Sequence, residues 1–216
     1  TAQVVGGGTQ LYGAVSLRFS ELDLRLGSFN ADRNDIVGDP DGDVRREARD
    51  WPIDYATLEP YYCEAERLIG INGTRANQGK PFSADHYQAP YAPNPISAYV
   101  ATGMEALGLP RYRTPLAVIT EDHAPSGRTV PAGPEAAKTG YVNRYGDPLG
   151  LKSNTWVALL RPLSGMANFT LRANCVVTHL EMAGDRIGKV VYRDVAGRSV
   201  EVAGKLVVVA CSAIES

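Results

Sequence analysis

The chain has 216 residues, 44% hydrophobic and 21% charged, the balance of a globular protein with enough apolar material for a sizeable core. Its formal net charge of −2 gives no electrostatic footprint for nucleic acid or an anionic membrane, and no run of about 18 apolar residues is present to span a bilayer. Cys63, Cys175 and Cys211 are far apart, odd in number and without metal spacing, so they read as structural thiols.

Residues 1–20 read as an extended piece, a glycine turn and a second apolar piece. In Gly6-Gly7-Gly8-Thr9 the absence of Cβ lets backbone N–H groups approach an anion, with the Thr9 hydroxyl as a further donor. The run is neither G-x-G-x-x-G nor a P-loop, and a plain tight turn is the competing reading. Residues 27–50 are rich in Asp, Asn, Gly and Arg and read as a long polar loop. Within it, 39–43 (DPDGD) has the opening of a calcium loop without the later ligands, and reads as a solvated turn.

A helix is expected from Leu58, with Leu58, Tyr61, Tyr62, Ala65, Leu68 and Ile69 on one face. Thr57 is its expected N-cap, Pro60 is tolerated in its first turn, and Gly70 ends it. A second helix is expected over 96–108, with Ile96, Tyr99, Val100, Met104 and Leu107 on one side and Gly108 with Pro110 as the stop. Residues 110–150 carry many Pro and Gly and no period, which fits a segment covering a site. Trp156 to Leu160 reads as a helical turn or a short strand.

The last fifty residues are β-like. Strands are expected at 168–173, 176–182, 188–194 and 199–202, with turns at 183–185 and 196–197. The continuous apolar run 206–210 reads as a strand covered on both faces in a parallel sheet, with 212–215 as the ligand-side loop after it.

His86, His123 and His179 show no ligand spacing, and no Ser-His-Asp or Cys-His arrangement is visible. Asn72-Gly73-Thr74 and Asn168-Phe169-Thr170 match the glycosylation triplet, but such triplets arise often by chance. Read from residues alone, this is a mixed α/β chain with a candidate anion turn and no visible catalytic machinery.

Several segments together resemble the glucose–methanol–choline (GMC) family of FAD-dependent oxidoreductases. VVGGGTQLYGAVSLRF is similar to the family's G-G-[GST]-[ST]-x-x-[NH]-G stretch along the flavin, which maps to Gly6, Gly7, Gly8, Thr9, Tyr12 and Gly13, with Arg18 beyond. DWPIDYATLEPYYCEAERLIGING (50–73) resembles the D-W-P-I-x-Y-x-x-L-E-P-Y-Y segment of sugar- and alcohol-oxidising members. NFTLRANCVVTHLEM places Val177 where a family valine meets the adenine. LVVVACSAIES resembles the strand and loop beside FAD, with Ala210 and Ser212 on flavin-lining positions.

The resemblance implies an α/β architecture, mixed with α+β. It combines part of a GMC-type FAD-binding domain (a Rossmann-like sheet with an antiparallel β crossover) with part of a substrate domain. The implied division is 1–74 in the FAD-binding domain, 75–165 in the substrate domain and 166–216 back in the FAD-binding domain. It implies FAD as cofactor and oxidation of a CH–OH group of a sugar or alcohol by hydride transfer to flavin N5. Oxygen and an electron-acceptor protein stand as alternative reoxidants. The cofactor-binding positions are Gly7, Gly8, Thr9, Tyr12, Gly13, Ala14, Val177, Ala210 and Ser212. The pattern's catalytic His, its first G-x-G-x-x-G and its ribose Glu fall outside these 216 residues, so the resemblance implies an internal part of a longer chain. Lys152 to Trp156 is expected to help shape the substrate pocket. Tyr12 stands where the pattern has Asn or His, which removes covalent flavin attachment there, and Ser212 replaces a glycine. The alternative, for a 216-residue chain complete in itself, is a non-catalytic nucleotide-binding or interaction module.

Overall fold

A computed structural model describes residues 4–31, 42–43, 47–76, 78–133 and 146–211. The chain divides into two compact units, Thr1–Gly165 and Met166–Ser216.

In the first unit, a 3₁₀ turn at Gly7–Gln10 is followed by two short helices, α1 (Glu21–Leu24) and α2 (Leu26–Asn30). Ser20 and Asp23 form a reciprocal capping box at the start of α1. The expected polar loop over 27–50 therefore opens with helix. Of 39–43, only Gly42 and Asp43 are among the described residues.

Helix α3 (Tyr55–Ile69) starts three residues earlier than the apolar period suggests. Asp54, not Thr57, is the N-cap: its Oδ1 accepts from Thr57 N at 2.7 Å. Pro60 then lies in the helix interior, where its missing N–H leaves Ala56 C=O without its i+4 partner. Gly70 ends the helix as expected, at φ 77°, its N–H bonding Glu66 O at 2.9 Å. The buried face also differs. Tyr61 and Ala65 are exposed, whereas Tyr55, Glu59 and Glu66 are buried. The i, i+4, i+7, i+11 spacing of Tyr55, Glu59, Tyr62 and Glu66 makes one stripe. It carries charge because an arginine lies against it.

Helix α4 (Pro95–Ala106) has Asn94 as N-cap, bonded to Ser97 N at 2.9 Å, and Pro95 at its first position. Its apolar side is not a core face: Ile96, Tyr99, Val100 and Leu107 are all exposed, Tyr99 at 83%.

The core of this unit lies where no period was visible. Ala14, Ile71 and Ala117 form its centre, with Tyr12, Ile69, Tyr87 and Val118 packed around them. Pro115, Ala117 and Ile119 are buried in alternation, as in a strand. Single bridges tie this segment to its neighbours. Asn72 and Leu116 exchange two bonds of 2.9 Å, Ala117 N donates to Ala14 O at 2.7 Å, Ser153 N to Ala117 O at 2.7 Å, and Ile119 N to Leu151 O at 3.0 Å. Residues 115–119 therefore belong to the interior, whereas 110–112 and 114 are exposed. Asn72 is buried with its amide donating to Val118 O at 2.6 Å, so the first glycosylation triplet is structural. Residues 156–160 form a single π turn, Trp156–Leu160, that runs into a short α turn.

The second unit is an antiparallel sheet in the order β1 (Val176–Ala183), β2 (Arg186–Arg193), β3 (Ser199–Val202). Val177 faces Tyr192, Ala183 faces Arg186 and Val190 faces Val202; the β1–β2 pairing carries two register shifts. Gly184, at φ 69°, makes the tight β1–β2 connection. The strand expected at 168–173 lies in turns and irregular chain instead, and Asn168 is exposed. The run 206–210 is likewise not a strand, and Leu206 is 82% exposed. A parallel strand needs a hydrogen-bonding neighbour on its edges, and among the described residues of this unit none pairs with it.

Candidate functional site

The glycine turn is held from behind by residues about 140 positions later in the sequence. Thr9 Oγ1 donates to Gly6 O at 2.5 Å and accepts from Thr155 N at 3.1 Å. Gln10 Oε1 accepts from Asn154 Nδ2 at 3.1 Å, and Gln10 Nε2 reaches Val5 O at 2.8 Å. Lys152, 1% exposed, donates through Nζ to Gln10 O at 3.1 Å and to Tyr12 O at 3.2 Å. Tyr12 OH donates to Ser153 O at 2.5 Å. Lys152, Ser153 and Asn154, expected to shape a substrate pocket, are thus buried against the turn.

The other side of the turn is open. A Cβ added at Gly7, Gly8 or Gly13 would meet no heavy atom within 4 Å. The φ of 51° at Gly7 favours glycine, but Gly8 and Gly13 have no such conformational demand. Their bare backbone leaves room for a group approaching from outside. Ala14 closes the segment in a left-handed conformation, φ 63°, while 1% exposed. A non-glycine residue there carries about 1–2 kcal/mol of strain, and its carbonyl is fixed by Ala117 N.

Six of the nine expected cofactor positions, Gly7, Gly8, Thr9, Tyr12, Gly13 and Ala14, therefore fall on one turn and its exit. Tyr12 is directed inward onto the core. Burial raises its hydroxyl pKa, Arg128 opposing, so it stays protonated as a donor. Val177 and Ala210 lie in the second unit, Val177 exposed on β1 and Ala210 exposed on irregular chain. Ser212 lies outside the described residues.

Two polar clusters were not anticipated from sequence. In the first, Arg18, 2% exposed, forks onto Glu66, reaches Glu59 Oε1 at 3.0 Å and Tyr55 OH at 3.1 Å, and stacks on Phe82 at 4.2 Å. Glu66 also accepts from Tyr87 OH at 2.8 Å, and His86 Nε2 lies 2.9 Å from it. Burial alone would lower the Arg18 pKa; its bonds to Glu66, Tyr55, Cys63 and Glu59 outweigh this and raise it. The Cys63 thiol, Ser83 and Arg18 hold Glu59 down to about 2. Glu59, Cys63 and Glu66 at i, i+4, i+7 were the readable signal, a polar stripe on a helix whose arginine follows the glycine motif.

In the second, Arg128 Nε donates to Ser126 Oγ at 2.7 Å, and its two terminal nitrogens reach Leu151 O at 3.0 Å and Ile69 O at 2.5 Å. Ser126 Oγ lies 2.7 Å from His123 Nδ1, and His123 Nε2 lies 3.0 Å from Arg67 O. The carbonyl requires Nε2 to carry a proton, and burial lowers the ring's pKa, which favours the neutral form with Nδ1 accepting from Ser126. Among the described residues, no group of His, Cys, Asp or Glu is arranged to hold a metal ion. No helix of the described residues is long and apolar enough to cross a membrane.

No family model matches the chain. Along its whole length it is similar to two curated oxidases. It is 31% identical over 221 residues to 6'''-hydroxyparomomycin C oxidase of Streptomyces lividus and 30% identical over 218 residues to paromamine 6'-oxidase of Streptomyces fradiae. It is 26% identical over 212 residues, 97% of the chain, to 2-methyl-1,2-propanediol dehydrogenase of Mycolicibacterium austroafricanum. The chain spans 36%, 36% and 34% of these proteins, about a third of their length.

Proposed function

We propose that this chain is the part of an FAD-dependent oxidoreductase that carries a flavin-facing turn, in an enzyme oxidising the CH–OH group of a sugar or alcohol. The observation that carries the oxidoreductase reading is the similarity, along the entire chain, to two oxidases named for 6'''-hydroxyparomomycin C and paromamine, with a diol dehydrogenase beside them. The flavin reading, and with it the GMC family, is supported by the motif resemblance and by the glycine turn, whose outer face a Cβ at Gly7, Gly8 or Gly13 would enter.

Gly7, Gly8, Thr9 and Gly13 would lie along the cofactor and Ala14 would fix the exit of the turn; for Val177, Ala210 and Ser212 a cofactor role rests on the motif resemblance alone. FAD, when bound, would supply the hydride acceptor. This chain's own contribution is positional: a backbone face kept bare by glycine and held rigid by Lys152, Asn154 and Thr155. None of His86, His123 and His179 is assigned as the base. His123 donates its Nε2 proton to a carbonyl and His86 is paired with Glu66.

The test is purification of the full-length protein, followed by its visible absorbance and the bleaching of that absorbance on adding sugars or primary alcohols. Flavin absorbance that bleaches with a polyol supports the reading. A colourless protein that gains no colour with added FAD sinks it and favours the non-catalytic nucleotide-binding or interaction module.

A further inference from the structure

Lys152 stands out among the residues behind the glycine turn. It is among the largest side chains with no solvent exposure to speak of, and it comes from a distant segment. Its ammonium reaches two carbonyls, Gln10 O and Tyr12 O, on either side of Leu11. Those carbonyls belong to the residue that ends the 3₁₀ turn and to the residue before Gly13. Hydrogen bonds from a charged donor are roughly twice as strong as neutral ones. The same nitrogen lies 5.8 Å from the centre of the Tyr12 ring, whose hydroxyl is bonded to Ser153 O. The Lys152 backbone is itself anchored, its N–H on Asp147 Oδ2 at 2.7 Å and its neighbour Ser153 bonded through N to Ala117 O. The ammonium is therefore a fixed point, and the outward backbone of 10–13 is hung from it.

We propose that Lys152 is a positioning residue: it sets the path of residues 10–13 and thereby the bare face that Gly8 and Gly13 present to the cofactor. This rests on the flavin reading above. Lys152 does not touch the cofactor in this role; it acts through Gln10 O and Tyr12 O.

The test compares Lys152→Met, which keeps length and loses both bonds, with Lys152→Arg, which keeps a charged donor, in the full-length protein. Two measurements are made. The first is peptide-level hydrogen exchange over residues 4–16 in flavin-free protein. The second is FAD affinity, together with the visible circular dichroism of the bound flavin. The expectation is faster exchange in that peptide for Lys152→Met, FAD binding weakened by about tenfold or more, an altered flavin dichroism, and substantial recovery in Lys152→Arg. A folded Lys152→Met protein with unchanged exchange in that peptide overturns the proposal. So does one with changed exchange but parental FAD affinity and dichroism. If the parent binds no FAD, the flavin reading has failed, and exchange alone decides whether Lys152 sets the turn. If Lys152→Met does not accumulate, Lys152→Gln takes its place, removing the charge and shortening the reach toward Gln10 O and Tyr12 O. The same exchange and affinity changes are then expected, and their absence counts against the proposal.

Discussion

Arg18 and Glu66 form a two-bonded ion pair inside the first unit, with Nε to Oε1 at 2.9 Å and the second nitrogen to Oε2 at 2.6 Å. The pair joins the segment leaving the glycine turn to the last turn of α3. Removing one partner leaves a buried charge uncompensated, which costs about 3–5 kcal/mol. Arg18→Met is expected to unfold at markedly lower denaturant concentration, with a loss of that size. Arg18→Lys is expected to recover little, because an ammonium cannot fork across two carboxylate oxygens while also reaching Glu59 and Tyr55. Chemical denaturation of the three proteins checks this, and a Lys variant as stable as the parent would show that only charge matters.

Gly70 should resist substitution for two independent reasons. It sits at φ 77°, and a Cβ there would lie 2.7 Å from Ile119 Cγ2 and 3.1 Å from the His123 ring. Ile119 is fully buried and its methyl has little room to give. Gly70→Ala is expected to cost about 2–4 kcal/mol, the sum of left-handed strain and overpacking. Thermal denaturation measures it. A loss below about 1 kcal/mol would mean that the end of α3 relaxes freely.

The two helices and their stops were legible because local chemistry decides them: Gly70 and Gly108, both at positive φ, act whatever surrounds them. The buried face of α3 was not, because period-counting assigns apolar residues inward. Here Arg18, from 48 positions before Glu66, draws the glutamates in instead. The core segment 115–119 was hidden for another reason. Both of its faces are apolar, so its period-two burial leaves no polar alternation to read. The run 206–210 shows the limit from the other side. Its composition asks for a parallel sheet, but hydrogen-bonding neighbours, not composition, make a strand. At the candidate site, the glycines were readable and their backing was not. Nothing local in Lys152-Ser153-Asn154 points to residues near position 10.

His123 makes stability depend on pH in a defined direction. Burial lowers its folded pKa from the ordinary 6.5; the bond to Arg67 O opposes this, and Arg128 and Arg67 add to the lowering. The unfolded chain therefore takes up the proton first as pH falls. The contribution is fully present above about 6.5 and is lost progressively below it, with a slope of at most about 1.4 kcal/mol per pH unit. Glu59 acts in a separate window. Its pKa is held at about 2 against an ordinary 4.5, so its contribution is present above 4.5 and is lost as pH falls toward 2. Stability measured from pH 8 to pH 3 should show both limbs. His123→Gln should flatten the upper limb and leave the lower one, and a parent with no change between pH 7 and 5 would contradict the neutral buried state.

Gly8→Ala separates a structural glycine from a functional one. Gly8 has no left-handed φ, and a Cβ built on it meets nothing within 4 Å. Neither strain nor crowding penalises alanine, so stability is expected to stay within about 0.5 kcal/mol of the parent. If the open side of the turn receives the cofactor, the added methyl occupies the space the cofactor needs. FAD affinity of the full-length protein should then fall by about tenfold or more, the cost of a methyl pressed into a close-packed contact. Gly7→Ala cannot make this distinction, because φ 51° penalises it in the folded chain alone. Titration of flavin-free Gly8→Ala with FAD, beside its denaturation curve, gives both numbers. Unchanged affinity with unchanged stability would place the cofactor elsewhere, and a large loss of stability would mean that the turn's outer face is packed against protein.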